Sequence, residues 1–176
     1  DGILITPSGF DKGTIKGNQI GLISSGGDNL TPELRPSIEY AMHLAIYKAR
    51  PDVNAIVHAH PPLATSFTAL EKGINCCITA EARAILGVPV KAPYALMGTE
   101  SLAAEVAKSA AHSTHPNVIL MENHGIVCLG KDLLSAFDRM EVLEFAARMT
   151  LAANIIGNVK NLSQKQLQEI DKMMGI

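Results

Sequence analysis

Apolar positions open the chain as Gly2-Ile3-Leu4-Ile5-Thr6, which predicts a short strand, and Pro7-Ser8-Gly9 reads as the turn that closes it. The stretch from Lys16 to Arg35 is polar and rich in glycine and promises little core. From Pro36 to Arg50, Ile38, Ala41-Met42, Ala45-Ile46 and Ala49 recur at helical spacing. Pro36 sits at a tolerated first-turn position and Arg50-Pro51 ends the segment. Glu39, His43 and Ile46 then share one helix face. Val53-Asn54-Ala55-Ile56-Val57 alternates as a strand and runs directly into His58-Ala59-His60. Pro61-Pro62 opens a helix to about Leu70, another spans about Ala80 to Leu86, and Val88 to Ala92 is extended.

Thr99 is placed to cap a helix carrying Leu102, Ala103, Val106, Ala107 and Ala110. Val118 to Met121 and Ile126 to Leu129 form two apolar runs on either side of a His124-Gly125 turn. Asp132 caps a long helix with Leu133, Phe137, Met140, Leu143 and Ala147 on its apolar stripe, stopped near Gly157. Met140, Ala146, Ala147 and Met149 fit core better than interface. Ser163 with Gln166 forms a capping box for a last helix. Strands alternating with helices argue an α/β fold. No repeat, low-complexity tract or linker divides the sequence, so residues 1–176 are expected to form a single domain. It opens on Asp1 and enters a strand at once, which reads as a segment missing its upstream residues.

Composition narrows the function. A 176-residue chain that is 47% hydrophobic can build a core of its own. The formal net charge of −2, from 15 basic and 17 acidic side chains with no basic block, argues against nucleic acid or an anionic membrane as partner. Cys76, Cys77 and Cys128 make an odd number with no metal-binding spacing, which fits a reducing cytoplasm. No apolar run approaches the roughly 18 to 20 residues that span a bilayer.

The chemistry concentrates at His58-Ala59-His60. On a strand, residues two apart point to the same side, so the two imidazoles stand together. Glu39 precedes them on a helical pattern and His124 follows much later, and three imidazoles with a carboxylate suit a divalent metal, above all zinc. Singly, each has an ordinary reading: hydrogen-bonded edge histidines, a turn residue before glycine, an acid near a helix N-terminus. Ser8-Gly9 and Ser37 offer hydroxyls and backbone N–H groups to an anion, in turns of a common kind. His43, His112 and His115 are left as structural or exposed.

In combination, Pro36-Ser37-Ile38-Glu39, the run from Tyr47 through His58-Ala59-His60-Pro61-Pro62, and Asn123-His124-Gly125 resemble the class II aldolase/adducin family. The likeness extends from Ile3-Leu4-Ile5-Thr6-Pro7-Ser8-Gly9 through Ala92-Pro93-Tyr94 and Gly98-Thr99 to the helix after Asp132. It implies a three-layer α/β/α sandwich with a mostly antiparallel central sheet, assembled as a homotetramer. It also implies that His58, His60 and His124 hold Zn2+, or another divalent metal, and that Glu39 serves as acid/base and can itself ligate the metal. Ser8, Gly9 and Ser37 match the positions that hold a substrate phosphate.

The reaction implied is zinc-dependent cleavage of a ketose 1-phosphate, of the L-fuculose 1-phosphate type, to dihydroxyacetone phosphate and an aldehyde through a metal-stabilised enediolate. Pentulose-5-phosphate 4-epimerase and methylthioribulose-1-phosphate dehydratase chemistry are the alternatives, and an adducin-like assembly module is the non-enzymatic one. Three departures stand out. The family's Gly-Asn phosphate segment would precede the first strand, Ile38 stands where the fuculose type has a second serine, and no tyrosine follows Asn161.

Overall fold

The computed structural model describes residues 2–175. Strand β1 (Gly2–Ile5) pairs antiparallel with β2 (Gly21–Ser24), Ile3 opposite Ile23, in a two-stranded ribbon. Ile23 is buried, so the Lys16–Arg35 stretch holds a strand and a core residue that its pattern does not announce. Four residues bounded by glycine and serine are too few for a period to show; β1 pairs with one edge of the strand, and the segment after it holds the other, Leu30 N donating to Leu22 O and Ser24 N to Asp28 O.

Helix α1 (Tyr40–Ala49) begins four residues later than the apolar spacing predicts. Glu39 is its N-cap, and Pro36 and Ile38 lie outside, Ile38 being 61% exposed. Two hydrogen bonds explain the delay: Ser8 N donates to Arg35 O at 2.9 Å, and Glu39 N donates to the Ser37 hydroxyl at 3.3 Å. Such a local side-chain bond gives the backbone an alternative to the helical ladder.

The main sheet has the order β3 (Ala55–Ala59), β6 (Gly125–Gly130), β5 (Val118–Met121), β4 (Val90–Ala92). The β3–β6 and β6–β5 pairs are antiparallel and β5–β4 is parallel, as expected of a mostly antiparallel sheet. Five helices complete the chain: α2 (Pro62–Thr68), α3 (Ala80–Leu86), α4 (Glu100–Ala110), α5 (Leu133–Ile156) and α6 (Gln164–Met174).

Every residue of β5 and β6 is buried, because both faces of the sheet are covered. Val118, Leu120, Ile126 and Cys128 pack with Ala64, Phe67, Leu86, Leu143 and Ala147 from α2, α3 and α5. Ile119, Met121, Val127 and Leu129 pack with Met42, Ile46, Leu102 and Val106 from α1 and α4. Three layers result. Thr99, Asp132 and Ser163 cap their helices as predicted, each accepting from the backbone N–H three residues on.

The buried stripe of α5 is Ala136, Met140, Leu143 and Ala147, whereas Leu133 and Phe137 are exposed, contrary to the stripe predicted for them. Gly130 sets this rotation. A Cβ there would stand 2.6 Å from Ala136 N and 2.7 Å from Asp132 O, so the first turn of α5 presses on the end of β6 and presents residue 136 to the sheet. No helix among the described residues is long and apolar enough to cross a membrane.

Arg50 ties the α1/α4 layer together. Its buried guanidinium donates from Nη1 to Ala110 O and Pro116 O, both at 3.0 Å, and grips exposed Asp52 through Nε and Nη2 at 2.8 and 2.7 Å. The Ala110 carbonyl belongs to the last turn of α4, where a cation also meets the negative end of the helix dipole. Arg50→Ala is expected to cost about 3 kcal/mol by stranding buried carbonyls, lowering the melting midpoint by about 6–12 °C. Asp52→Asn removes only a solvent-screened partner and should cost less than about 1 kcal/mol; calorimetry on both variants checks the contrast.

Candidate metal centre

His58 lies on β3 opposite Val127 of β6, and His60 follows one residue beyond the end of β3. Their neighbours Val57 and Ala59 pack into the α2/α5 layer, so strand alternation turns both histidines toward α1. His124 arrives from the turn joining β5 to β6. Asn123 holds that turn with φ at 51°, a left-handed conformation that asparagine tolerates, and His124 N donates to Met121 O at 3.1 Å.

The three rings converge, with centroids 4.8 Å apart for His58 and His60, 5.2 Å for His58 and His124, and 5.4 Å for His60 and His124. One nitrogen from each lies within 4.8 Å of the other two, which is the spacing of a set that can hold a metal ion. Glu39, buried at the start of α1, completes the group. Its Oε2 is 2.8 Å from His58 Nε2 and its Oε1 is 3.2 Å from His124 Nε2.

The donor chemistry fits a cation. His58 Nδ1 lies 2.9 Å from Ile126 O, and a carbonyl can only accept, so the proton is on Nδ1. In the neutral ring Nε2 then presents its lone pair toward a carboxylate oxygen. His58 Nε2 and Glu39 Oε1 are both buried without a hydrogen bond. His58 Nε2 faces Glu39 Oε2, and Glu39 Oε1 lies beside His124 Nε2; acceptors gathered this closely out of water suit a positive charge among them.

Titration points the same way. Burial and the neighbouring imidazoles hold His60 below its usual pKa. Burial also lowers His124, against the pull of Glu39. Burial would raise Glu39, but its contacts with His58 and the charges of His124 and His60 outweigh that and lower it. The lowered values of His60 and His124 favour their neutral rings and that of Glu39 favours its carboxylate, which are the forms in which these groups ligate a divalent ion.

Sequence reasoning missed two supports. A Cβ on Gly125 would stand 2.5 Å from His60 Cδ2 and 2.9 Å from its Nε2, so only glycine lets the imidazole lie against the β6 backbone. The carbonyl of Ile126 fixes the His58 tautomer. The first was visible as the glycine of Asn123-His124-Gly125; the second has no sequence signal, since any residue carries a carbonyl. His43, left as structural, is half-buried one turn along α1 from Glu39, and burial lowers it to about 4. His112 and His115 are exposed, as expected.

The anion candidates are brought near this group but are not part of it. The Ser8–Arg35 hydrogen bond sets the Pro7-Ser8-Gly9 turn beside the segment leading to Ser37 and Glu39. The Ser37 hydroxyl accepts from Glu39 N, which leaves its own proton free to donate. Gly9 has φ at 82° and no heavy atom within 4 Å of a Cβ position, so its backbone is open to approach. Next to Ser37, a Cβ on Gly98 would meet Ile38 Cγ1 at 2.6 Å, so Ile38 packs closely on that glycine.

The model of the class II aldolase and adducin N-terminal domain family matches residues 1–151. An L-fuculose phosphate aldolase of Methanocaldococcus jannaschii is 36% identical over 151 residues, 86% of this chain and 79% of that protein. A 3-oxo-tetronate 4-phosphate decarboxylase of Haemophilus influenzae is 31% identical and covers 97% of this chain and 82% of its own length. Among solved structures, an L-fuculose 1-phosphate aldolase superposes with a TM-score of 0.82 at 32% identity, covering 98% of this chain and 80% of that one.

Gly125→Ala should lower zinc affinity about 10-fold or more by displacing His60, with the helical content unchanged; competition against a chromogenic chelator measures it. In metal-free protein, His43, His60 and His124 titrate below their unfolded values in the folded state, so the unfolded chain takes up protons first as pH falls. Stability is therefore expected to be full above about pH 6.5 and to decline toward about pH 4, read as a lower urea midpoint at about pH 5 than at about pH 7.

Proposed function

Since this chain belongs to the class II aldolase and adducin N-terminal domain family, we propose that it cleaves a ketose 1-phosphate of the L-fuculose 1-phosphate type into dihydroxyacetone phosphate and an aldehyde. The observation that carries this reading is the convergence of three imidazole nitrogens within 4.8 Å beside the Glu39 carboxylate. His58, His60 and His124 would hold a divalent cation, Zn2+ above all on its preference for imidazole, and Glu39 would ligate it or turn aside for substrate. When bound, that ion supplies Lewis acidity to the oxygens of the substrate ketone and its neighbouring hydroxyl.

The remaining work falls to the chain. Breaking the C3–C4 bond transfers, in net terms, the C4 hydroxyl proton to C3 of the three-carbon fragment. Glu39 is the group that exchanges the C3 proton: ionised at neutral pH, it can remove it in the condensation direction and return it in cleavage. Burial keeps its carboxylate out of bulk water, beside the imidazoles of His58 and His124. The hydroxyls of Ser8 and Ser37 and the open backbone at Gly9 would hold the phosphate, anchoring the substrate so that C3 faces Glu39.

Exposed Leu96, Met97, Leu133 and Phe137 suit subunit contacts, in keeping with a homotetramer, and three unpaired cysteines suit a cytoplasmic enzyme. The decarboxylase likeness supports a second reading, in which the carbon–carbon bond broken is one to a carboxylate of a 3-oxo acid phosphate. Both reactions leave negative charge on the same kind of fragment, so the metal group serves either.

The test is a coupled assay for dihydroxyacetone phosphate release from L-fuculose 1-phosphate by zinc-loaded protein, with metal content determined. Glu39→Gln is expected to lower kcat about 10²–10⁴-fold with zinc retained, and His58→Ala to lose the zinc. No release from zinc-replete protein overturns this substrate and turns the search to 3-oxo acid and pentulose phosphates. A protein that takes up no zinc favours an assembly module.

A further inference from the structure

His60 is the least anchored of the three histidines. It lies one residue beyond β3, outside the ladder, with Gly125 beneath it, and the chain then leaves through Pro61-Pro62 into α2. Neither proline has an N–H, so the first two donors of α2 are Leu63 N and Ala64 N. Both are received by one side chain from a distant helix. Glu144 of α5 accepts from Leu63 N through Oε1 at 3.1 Å and from Ala64 N through Oε2 at 2.8 Å. Thr65 N donates to Pro61 O at 2.9 Å, which closes the turn directly behind His60.

We propose that Glu144 is a positioning residue for His60: its carboxylate locks the Pro61-Pro62 exit of β3 onto α5 and so fixes where the His60 imidazole stands. This rests on the metal-centre reading above. The two prolines make the link rigid, since their φ angles are locked, so a shift of the α2 start passes to His60 rather than being absorbed between them. Glu144 approaches from the α5 layer, and its role is to hold the chain from behind. Ala64, which takes one of the two bonds, is fully buried against that layer.

The test is zinc affinity by chelator competition in wild type, Glu144→Ala, Glu144→Gln, His60→Ala and the His60→Ala variants of both. Glu144→Ala is expected to weaken zinc about 10-fold, and Glu144→Gln, which keeps one accepting oxygen, by less. With His60 already removed, neither should weaken zinc further. Equal losses in both backgrounds, or no loss in the wild-type background, would overturn the proposal. If His60→Ala itself leaves affinity unchanged, the metal reading fails instead. Should Glu144→Ala not fold, the glutamine pair carries the same comparison.

Discussion

The antiparallel pairing of β3 with β6 is the contact on which the site depends. It sets His58 opposite Val127, places the Ile126 carbonyl against His58 Nδ1, and brings the end of β3 beside the turn that carries His124. Residues 58 and 124 are far apart in sequence, and only this register makes them neighbours. A slip of one residue would turn His58, and with it His60 just beyond the strand, toward the α2/α5 layer and destroy the group. The register is well secured, because β6 is buried on both faces and each of its side chains has an assigned layer.

Around that pairing the structure spends glycine and asparagine where backbone must come close or bend. Gly125 admits the His60 ring, Asn123 takes the left-handed step that turns β5 into β6, and Gly130 admits the first turn of α5. All three lie in or beside a single hairpin. The same short segment thus aims His124, makes room for His60 and seats the longest helix, whose Glu144 returns to hold the start of α2.

Burying a carboxylate among imidazoles is costly unless opposite charge accompanies it. Here the contacts of Glu39 with His58 and with the neighbouring imidazoles lower its pKa, and the group they form together has the donor set to take a divalent cation. The core does not supply this compensation: both hydrophobic layers are complete without the site, and the site sits at the ends of their strands and helices. That arrangement lets a rigid sandwich carry a locally unfavourable set of side chains.

Much of this was legible in order along the chain. The caps at Thr99, Asp132 and Ser163, the strands at Val118 to Met121 and after His124, and the His58-Ala59-His60 pair follow from local rules, because each depends on residues within one turn or one strand. The elements that misled did so where a distant partner decided the outcome. β2 exists because β1 lies beside it, α1 starts at Tyr40 because Ser8 and Ser37 hold the preceding backbone, and α5 buries Ala136 rather than Phe137 because Gly130 sets its rotation. Sequence by itself determined which residues were equipped for metal chemistry, since side-chain type and strand period are local properties. The likeness of its motifs to a family pointed to Glu39 and His124 as their companions; only the tertiary structure brought these within reach and showed that glycine and a backbone carbonyl hold the group, because those contacts form between elements that no local period connects.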